Sequence, residues 1–463
     1  MMERTCSWIV KATKGTWIGG PMERHLWVRG VSTDTRKLEV NQLYIPLVGE
    51  RFDGHAFLDQ AIQQGAVVVL WQKDHPLPDE KRVPIILVDD TLKALQRLAV
   101  AYRLETSIPM IAVTGSNGKT TTKDLLASVL AVKYEVHKTE GNLNNHIGVP
   151  LTLLSMSEQA EVAVIEMGMN HRGEIALLSS MAQPDFAVIT NIGESHIEFL
   201  GSREGIAEAK CEVIEGLQAQ GTLIYDGDEP LLRSLLQNDD HSQFPVGWGE
   251  ENEESAIQIE SLGLKGFRFQ SRTFGTSFQL PLLGRHNVKN ALFAMVVARK
   301  LGLTEEEIVK GLAQVQLSGN RLEVCQAING MEIINDSYNA SPTSMRAALD
   351  LLAEVEPTKE KWALLGDIFE IGDEEEIYHR QLGEYAINKK LDRLYTMGER
   401  GKWISDQAKK VEKNPNCHIH HFDTLEEAIK ELKEEGNSNV LLLVKASRAV
   451  QLDQAVRILS EGA

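Results

Sequence analysis

The run Ile111-Ala-Val-Thr-Gly-Ser-Asn-Gly-Lys-Thr-Thr-Thr122 holds the residues whose types and spacing most clearly do chemistry. Its apolar start reads as a buried strand, its two glycines as a turn, and the rest as the opening of a helix. Gly115 and Gly118 let the main chain pass close to an anion. The N–H groups from Thr114, Gly115, Ser116, Asn117 and Gly118, with the helix N-terminus behind them, are then expected to face the oxygens of a triphosphate. Lys119 adds charge for the outer phosphates, Thr120 offers a hydroxyl to magnesium, and Thr121 completes the run. Val113 stands where the general phosphate loop has its first glycine, so the pattern is the narrower T-G-x-x-G-K-T-T.

Other polar residues fall where strands end. Val162-Ala-Val-Ile165 closes on Glu166, and Phe186-Ala-Val-Ile189 on Thr190-Asn191. In an open parallel sheet ligands bind at the carboxyl ends of the strands, so Glu166 and the segment from Asn191 to His196 should converge on the phosphate loop. A carboxylate beside a triphosphate needs a cation between them, which makes Glu166 a magnesium ligand candidate; a solvated strand-end Glu is the alternative. Lys210 lies in a helical segment and is by default exposed. Asn287 and Asn290, at i and i+3, share a helix face and could meet a nucleobase edge, although N-capping explains Asn287 equally well. The polar loop from Thr139 to Pro150, with Asn142 and Asn145, reads as functional. Beyond Gly319-Asn-Arg321 another strand closes on a polar loop that carries Asp336, Tyr338 and Asn339.

A chain of 463 residues needs about three domains to position these groups. Boundaries are expected near Ser107-Ile-Pro109 and near residue 317. They give an N-terminal α/β substrate domain at 1–106, a central nucleotide-binding domain with a parallel sheet at 107–317, and a C-terminal Rossmann-like α/β domain at 318–463. Residues 221–283 look like a small antiparallel annex. The hydrophobic fraction of 43%, the absence of a long apolar run and the lack of an export signal point to a cytoplasmic protein without membrane insertion. Its four scattered cysteines form neither a disulfide framework nor a zinc pair. A net charge of -18 argues against nucleic acid as a partner. Cys417-His-Ile-His-His421 alternates as a strand edge does, which fits better than a metal site.

Near the start, Ser32, Asp34 and Arg36 alternate as on one face of an extended segment, and Arg51, Asp53 and His55 stand in a charged, turn-rich loop. Composition alone favours a solvated hairpin edge.

Together these residues resemble the Mur ligase family, the ATP-dependent amide-forming enzymes of peptidoglycan precursor synthesis. The resemblance spans almost the whole chain. It rests on T-G-x-x-G-K-T-T at 114–121, Glu166 before Met-Gly, His196 in N-x-x-x-x-H, Lys210 in A-x-A-K, and H-N-x-x-N-A at 286–291. The D-T-R and G-E-R-x-D-G-H runs, the G-N-x-N-N-x-x-G-x-P loop and N-D-x-Y-N-A-x-P at 335–342 are similar to the last-acting member. The resemblance implies ATP, two magnesium ions held by Thr120, Glu166, His196 and a carbamylated Lys210, and adenine contacts from Asn287 and Asn290. It implies that Arg321 and Asp336 reach phosphates and ribose, that Ser32, Asp34 and Arg36 bind a UDP end, and that Arg51, Asp53 and His55 face the peptide. Asn142, Asn145, Tyr338 and Asn339 would face substrate too. Lys119, Glu166, His196, Lys210 and Arg321 would form the catalytic set. The implied substrates are UDP-N-acetylmuramoyl-tripeptide and D-alanyl-D-alanine, and a monomer is expected. Folylpolyglutamate synthetase and the third-residue Mur ligase share the architecture. The N-terminal clusters argue against the first, and the lack of an Asp-Asn-Pro-Arg run against the second. A non-catalytic nucleotide-gated binding protein is the rival from another class. Cys211 replaces a usual glycine, Ser341 a common asparagine, and Lys445-Ala-Ser-Arg448 varies a K-G-S-R pattern.

Overall fold

The computed structural model describes residues 1–461 apart from 81, 357, 415 and 416. A five-stranded sheet forms from strands between Thr16 and Val88, a nine-stranded sheet from strands between Met110 and Leu280, and a six-stranded sheet from strands between Glu323 and Lys445. In the nine-stranded sheet Met110–Thr114 lies between Val162–Glu166 and Phe186–Ile189, parallel to both. These strands are near-continuous apolar runs because helices cover both faces. On one side Leu125, Leu126, Val129 and Leu130 of the helix Lys119–Leu130 pack on Ile111 and Val113, together with Leu292 and Val296 of the helix His286–Lys300.

The segment 221–283 corrects the expected annex. Thr222–Asp226 and Ser242–Gly247 extend the parallel sheet, and antiparallel pairing begins only between Glu254–Ser261 and Phe267–Ser271. Thr222–Asp226 is buried on both faces; a strand this short has too few residues to separate the two-sided pattern from an alternating one.

At the N-terminus Val31–Ser32, Leu43–Tyr44, Val68–Gln72 and Ile85–Val88 run parallel. Ser32 therefore ends a parallel strand, not a hairpin edge, and the chain turns directly after it. Asp34 Oδ1 accepts from Arg36 N at 3.0 Å and Ser32 Oγ donates to Asp34 O at 2.9 Å, so the polar trio wraps a turn where extended alternation was expected. His418–Phe422 is the edge strand of the C-terminal sheet, which accounts for its alternating histidines. Among the described residues all four cysteines are free and no helix is long and apolar enough to cross a membrane.

The two joints between domains differ. One apolar core runs from Met2, Ile9 and Leu98 into Val149, Leu153 and Ile175, sealed by Tyr102 Oη donating to Met156 O and Arg103 Nε to Ala182 O. The C-terminal sheet has two cores, one of which takes in Leu283, Ile197 and Leu264 of the central domain, and polar bonds such as Arg321–Thr120 and Ser341–Asn117 add to that joint.

Several histidines are folded in neutral. His379 is fully buried; its Nδ1 donates to Glu375 O at 2.6 Å and its Nε2 accepts from Ile368 N at 3.0 Å, so a second proton has no place. Burial lowers its pKa, and that of the half-buried His137, whose Nε2 meets Thr152 O at 2.8 Å, likewise. The unfolded chain then binds more protons than the native one below the ordinary histidine pKa, and stability present above about 6.5 falls as pH drops through it. The melting temperature is expected to be lower at about pH 5.5 than at about pH 7.5, with His379→Gln flattening part of that slope. A melting temperature independent of pH over this range would refute the assignment.

Candidate active site

The phosphate loop has the shape its glycines require. Gly115 has φ +146°, and a Cβ there would lie 1.9 Å from Thr190 Oγ1; Gly118 has φ +82°, and its Cβ would lie 2.9 Å from Asn290 Oδ1. No side chain fits either place. Thr190 Oγ1 donates to Asn117 O at 2.6 Å, locking the loop to the neighbouring strand end. One expectation is revised here. The N–H groups of Ser116 and Asn117 donate to Asn191, to its O at 3.1 Å and its Oδ1 at 2.9 Å, so they are spent on the loop's own support. The N–H groups left for an anion include those of Gly115 and Gly118 and of the first turn, Lys119 to Thr121, ahead of the helix ladder that begins with Thr122 N to Gly118 O.

Lys119 Nζ donates to Gly115 O at 2.7 Å and Ser116 O at 3.3 Å. Burial lowers its pKa while the Glu166 charge opposes the shift. Glu166 is 2% exposed; its Oε1 accepts from Asn144 Nδ2 at 2.8 Å, and its Oε2 is buried without a partner. Ser116 Oγ, Asn117 Nδ2, Thr122 Oγ1 and Arg321 Nε are likewise buried and unpaired. Native proteins leave few such atoms, and here they gather around one loop, as a polyanion with a hard cation requires. The residues fit magnesium: Glu166 supplies a free carboxylate oxygen, and Thr120 a hydroxyl that already accepts from Arg321 Nη2 at 3.1 Å. His196, at φ +64°, has Nδ1 2.8 Å from Glu370 Oε2 but off the line of a hydrogen bond, leaving Nε2 for a ligand.

Lys210 overturns the default of an exposed helical lysine. It is 2% exposed on the helix Arg203–Cys211, and no described residue accepts a hydrogen bond from its amine. Burial first, and Lys119 second, drive its pKa well below the usual lysine range. Cys211 beside it packs into the apolar core, where burial pushes the thiol up to about 12. Asn287 lies inside the first turn of His286–Lys300 and is not its N-cap; its Nδ2 donates to Leu283 O at 2.6 Å while its Oδ1 accepts from Asn290 at 2.8 Å.

A cavity of about 1540 Å³, lined by Lys119, Thr120, Glu166, His196, Asn287 and Asn290 but not by Lys210, joins the phosphate loop to the C-terminal domain. Arg321 stacks on the Tyr338 ring at 3.9 Å, with Arg448 5.4 Å from the same ring. Asp336 is paired with Lys445 Nζ at 2.5 Å, and Asn339 O accepts from the same amine at 3.0 Å. Ser341 caps the helix Pro342–Glu354 and donates to Asn117 Oδ1 at 3.1 Å, so its replacement of asparagine keeps both the cap and a bridge to the loop. Asn142 and Asn145 line the cavity, but Asn145 Oδ1 takes the N–H groups of Ile147 and Gly148. Asn144, between them, reaches Glu166. Sequence reasoning missed it, although it stands in the same run, and it gave Lys445 no role.

The N-terminal clusters do not line this cavity; they gather at the carboxyl edge of their own sheet. Arg36 is exposed and paired with Asp34 at 2.8 Å. Arg51 is exposed and Asp53 partly so, but His55 is buried with both nitrogens engaged, Nδ1 to Asp53 Oδ1 at 2.7 Å and Nε2 to Gln72 N at 3.2 Å. His55, expected to face the peptide, is buried, and its ring supports Asp53 from beneath.

A strand, glycine loop and helix that cradle phosphate, a cation-seeking carboxylate on the next strand, and flanking α/β domains define a class. Residues 113–298 match the model of the Mur ligase middle domain, 320–448 that of the Mur ligase glutamate ligase domain, and 28–103 that of the Mur ligase family catalytic domain. The chain belongs to the Mur ligase family. It is 47% identical over 462 residues to the UDP-N-acetylmuramoyl-tripeptide--D-alanyl-D-alanine ligase of Bacillus subtilis, covering 100% of this chain and 99% of that one. Among solved structures it is similar to MurF from Acinetobacter baumannii, with TM-score 0.89, 32% identity and coverage of 100% and 99%. MurF ligase from Thermotoga maritima in complex with ADP gives TM-score 0.82, 28% identity and coverage of 94% and 97%.

Proposed function

We propose that this chain joins D-alanyl-D-alanine to UDP-N-acetylmuramoyl-tripeptide at the expense of ATP. The observation that carries the reading is the buried, unpaired Glu166 oxygen beside Lys119 and the phosphate loop, in a chain nearly half identical to such a ligase from end to end. A carboxylate does not react with an amine in water, so it must first be activated. The tripeptide's terminal carboxylate oxygen attacks the γ-phosphorus, the bond to the β-phosphate oxygen breaks, and ADP leaves. Lys119 and Arg321 offset the repulsion between the two anions. Magnesium, held by Thr120, Glu166, His196 and a Lys210 carbamate, would neutralise phosphate charge in the same place. The amine of D-alanyl-D-alanine, having lost a proton, attacks the acyl phosphate carbon; phosphate leaves and the amide remains. Water must be excluded while the acyl phosphate lives, which is the use of a C-terminal domain docked through Arg321–Thr120 and Ser341–Asn117. The substrates and free thiols fit a cytoplasmic enzyme, and we read it as a monomer.

The test is one assay by mass spectrometry with ATP, magnesium, the UDP-tripeptide bearing lysine or diaminopimelate at its third position, and either D-alanyl-D-alanine or single amino acids. Product, ADP and phosphate in equal amounts with the dipeptide are expected. Phosphate release without both peptide substrates, or product from a single amino acid, would overturn the reading.

A further inference from the structure

A second cluster of titratable side chains lies away from the cavity. Asp53, His55 and His75 bring ligating atoms within 4.8 Å of one another, a spacing that invites a metal assignment. The hydrogen bonds argue otherwise. Gln72 N donates to His55 Nε2 at 3.2 Å, so that nitrogen carries the lone pair and the proton sits on Nδ1, where it meets Asp53 Oδ1 at 2.7 Å. Moving the proton to free Nδ1 for a metal would set an N–H against the Gln72 N–H. The ring of His75 stacks on that of His55 at 4.0 Å and 16°. Its Nδ1 lies 2.7 Å from Asp74 Oδ1 and its Nε2 2.9 Å from Asp53 Oδ2. Each nitrogen faces a carboxylate oxygen, and only the doubly protonated ring donates to both. The order is Asp74, His75 cation, Asp53, neutral His55, backbone of Gln72.

Asp53 is the middle of this chain of bonds: the His55 N–H at 2.9 Å, the His55 ring and a bridge to Val48 hold it on its own loop, and the His75 ring is the one tie that joins it to the neighbouring turn. His75 belongs to the turn after the strand Val68–Gln72, pinned by His75 N to Gln72 O at 3.1 Å, Lys73 N to Val88 O at 3.0 Å and Trp71 Nε1 to Pro76 O at 3.2 Å. Asp53 belongs to the loop between Gly49 and His55, whose far end is tied by Gly54 N to Leu47 O at 2.9 Å and Tyr44 Oη to Gly54 O at 2.8 Å. Tyr44 and Ser32 are paired in register at the ends of adjacent parallel strands, so this loop and the Asp34–Arg36 turn share the carboxyl edge of the sheet, where α/β folds bind ligands. Asp53 keeps a side-chain exposure of 41%, against 23% for His75 and 4% for His55, so the carboxylate is the member open to a ligand.

We propose that His75 is a positioning residue of the N-terminal substrate site: held as a cation between Asp74 and Asp53, it fixes Asp53 and the loop around it in the conformation that takes the UDP-linked substrate. This rests on the reading that the N-terminal domain binds that substrate. The groups facing His75 are Asp74 on its own turn, Asp53 from the loop and the neutral ring of His55. Gln72 Nε2 holds Asp74 at 3.0 Å, and Lys73 points away to Asp89 at 2.7 Å. The bond to Asp74 raises the His75 pKa, with Asp53 acting the same way, while burial holds His55 low. As pH rises through the raised value, one nitrogen loses its proton and turns a lone pair toward a carboxylate, and the clamp opens.

The test is equilibrium binding of UDP-N-acetylmuramoyl-tripeptide to the full chain between about pH 6 and 9, alongside ADP binding, with His75 followed by NMR. Affinity for the UDP substrate is expected to fall about tenfold as His75 loses its proton, while ADP binding stays flat. His75→Gln should bind the UDP substrate about as weakly as the deprotonated parent, without the pH dependence, and Asp74→Asn should shift the NMR titration of His75 and the binding profile together to lower pH. Arg36→Ala separates the two readings. If Arg36→Ala weakens binding and His75→Gln does not, the positioning role is wrong. If neither weakens it, the placement of the substrate on this domain is wrong, and the inference goes with it. Zinc bound stoichiometrically by the parent and not by His75→Gln would also overturn it.

Discussion

Lys119→Ala is expected to lower the turnover of pentapeptide product by about 10³-fold or more, an effect of roughly 4 kcal/mol on the barrier. The ammonium meets only the loop carbonyls of Gly115 and Ser116 and forms no ion pair among the described residues, so its removal leaves no charge stranded by a lost partner. What it removes is the cation nearest the place where two anions must approach. Glu166 would then face the phosphates without that charge beside it, and Arg321 would be left to offset part of the repulsion. The folded state should be indifferent: thermal unfolding of the variant at neutral pH should match the parent, and ATP-independent binding of the UDP substrate should persist. Turnover within a few-fold of the parent, measured as amide product, would remove Lys119 from the catalytic set.

Lys210→Ala is expected to cost nearly as much, for a different reason. A lysine with no acceptor, buried and beside Lys119, is held toward its neutral amine. A neutral amine adds to carbon dioxide: the N–C bond forms, one proton leaves to water, and an anionic carbamate with two hard oxygens results. Uncharged before the reaction, the group would then carry a negative charge and could bind magnesium. The variant should lose almost all activity, and a short carboxylate such as acetate should restore part of it by supplying the missing oxygens. An independent readout is a carbamate carbon resonance after exposure to labelled carbon dioxide, present in the parent and absent in Lys210→Ala. Full activity of the variant, or a parent without that resonance, would count against the carbamate. The alternative of a merely structural lysine predicts loss of stability and no rescue by acetate.

Much of the site could be read without coordinates because it is local. The phosphate loop is continuous in sequence, and its glycines are demanded by the backbone: Gly115 and Gly118 have positive φ and no room for a Cβ. The apolar strands before Glu166 and Asn191 announce a parallel sheet, and a parallel sheet dictates that its carboxyl edge collects the polar residues. A parallel α/β fold that holds a triphosphate follows from these alone; the amide-forming chemistry is what the family resemblance implies. What the sequence could not supply is the pairing of groups brought together from distant segments. Lys210 reads as exposed on its own helix; burial by neighbouring elements changes its charge. Asn144 rather than Asn142 or Asn145 meets Glu166, because only the loop's path decides which amide points inward. Asn191 takes the Ser116 and Asn117 N–H groups that local reasoning assigned to phosphate. His55 is expected to face substrate, but Gln72 at the end of the adjacent strand and His75 in the turn after it engage its ring. Spacing along a chain constrains neighbours within a turn or a strand; the protonation state of a buried side chain depends on what packs over it, and that is set only when the sheets and helices close on one another.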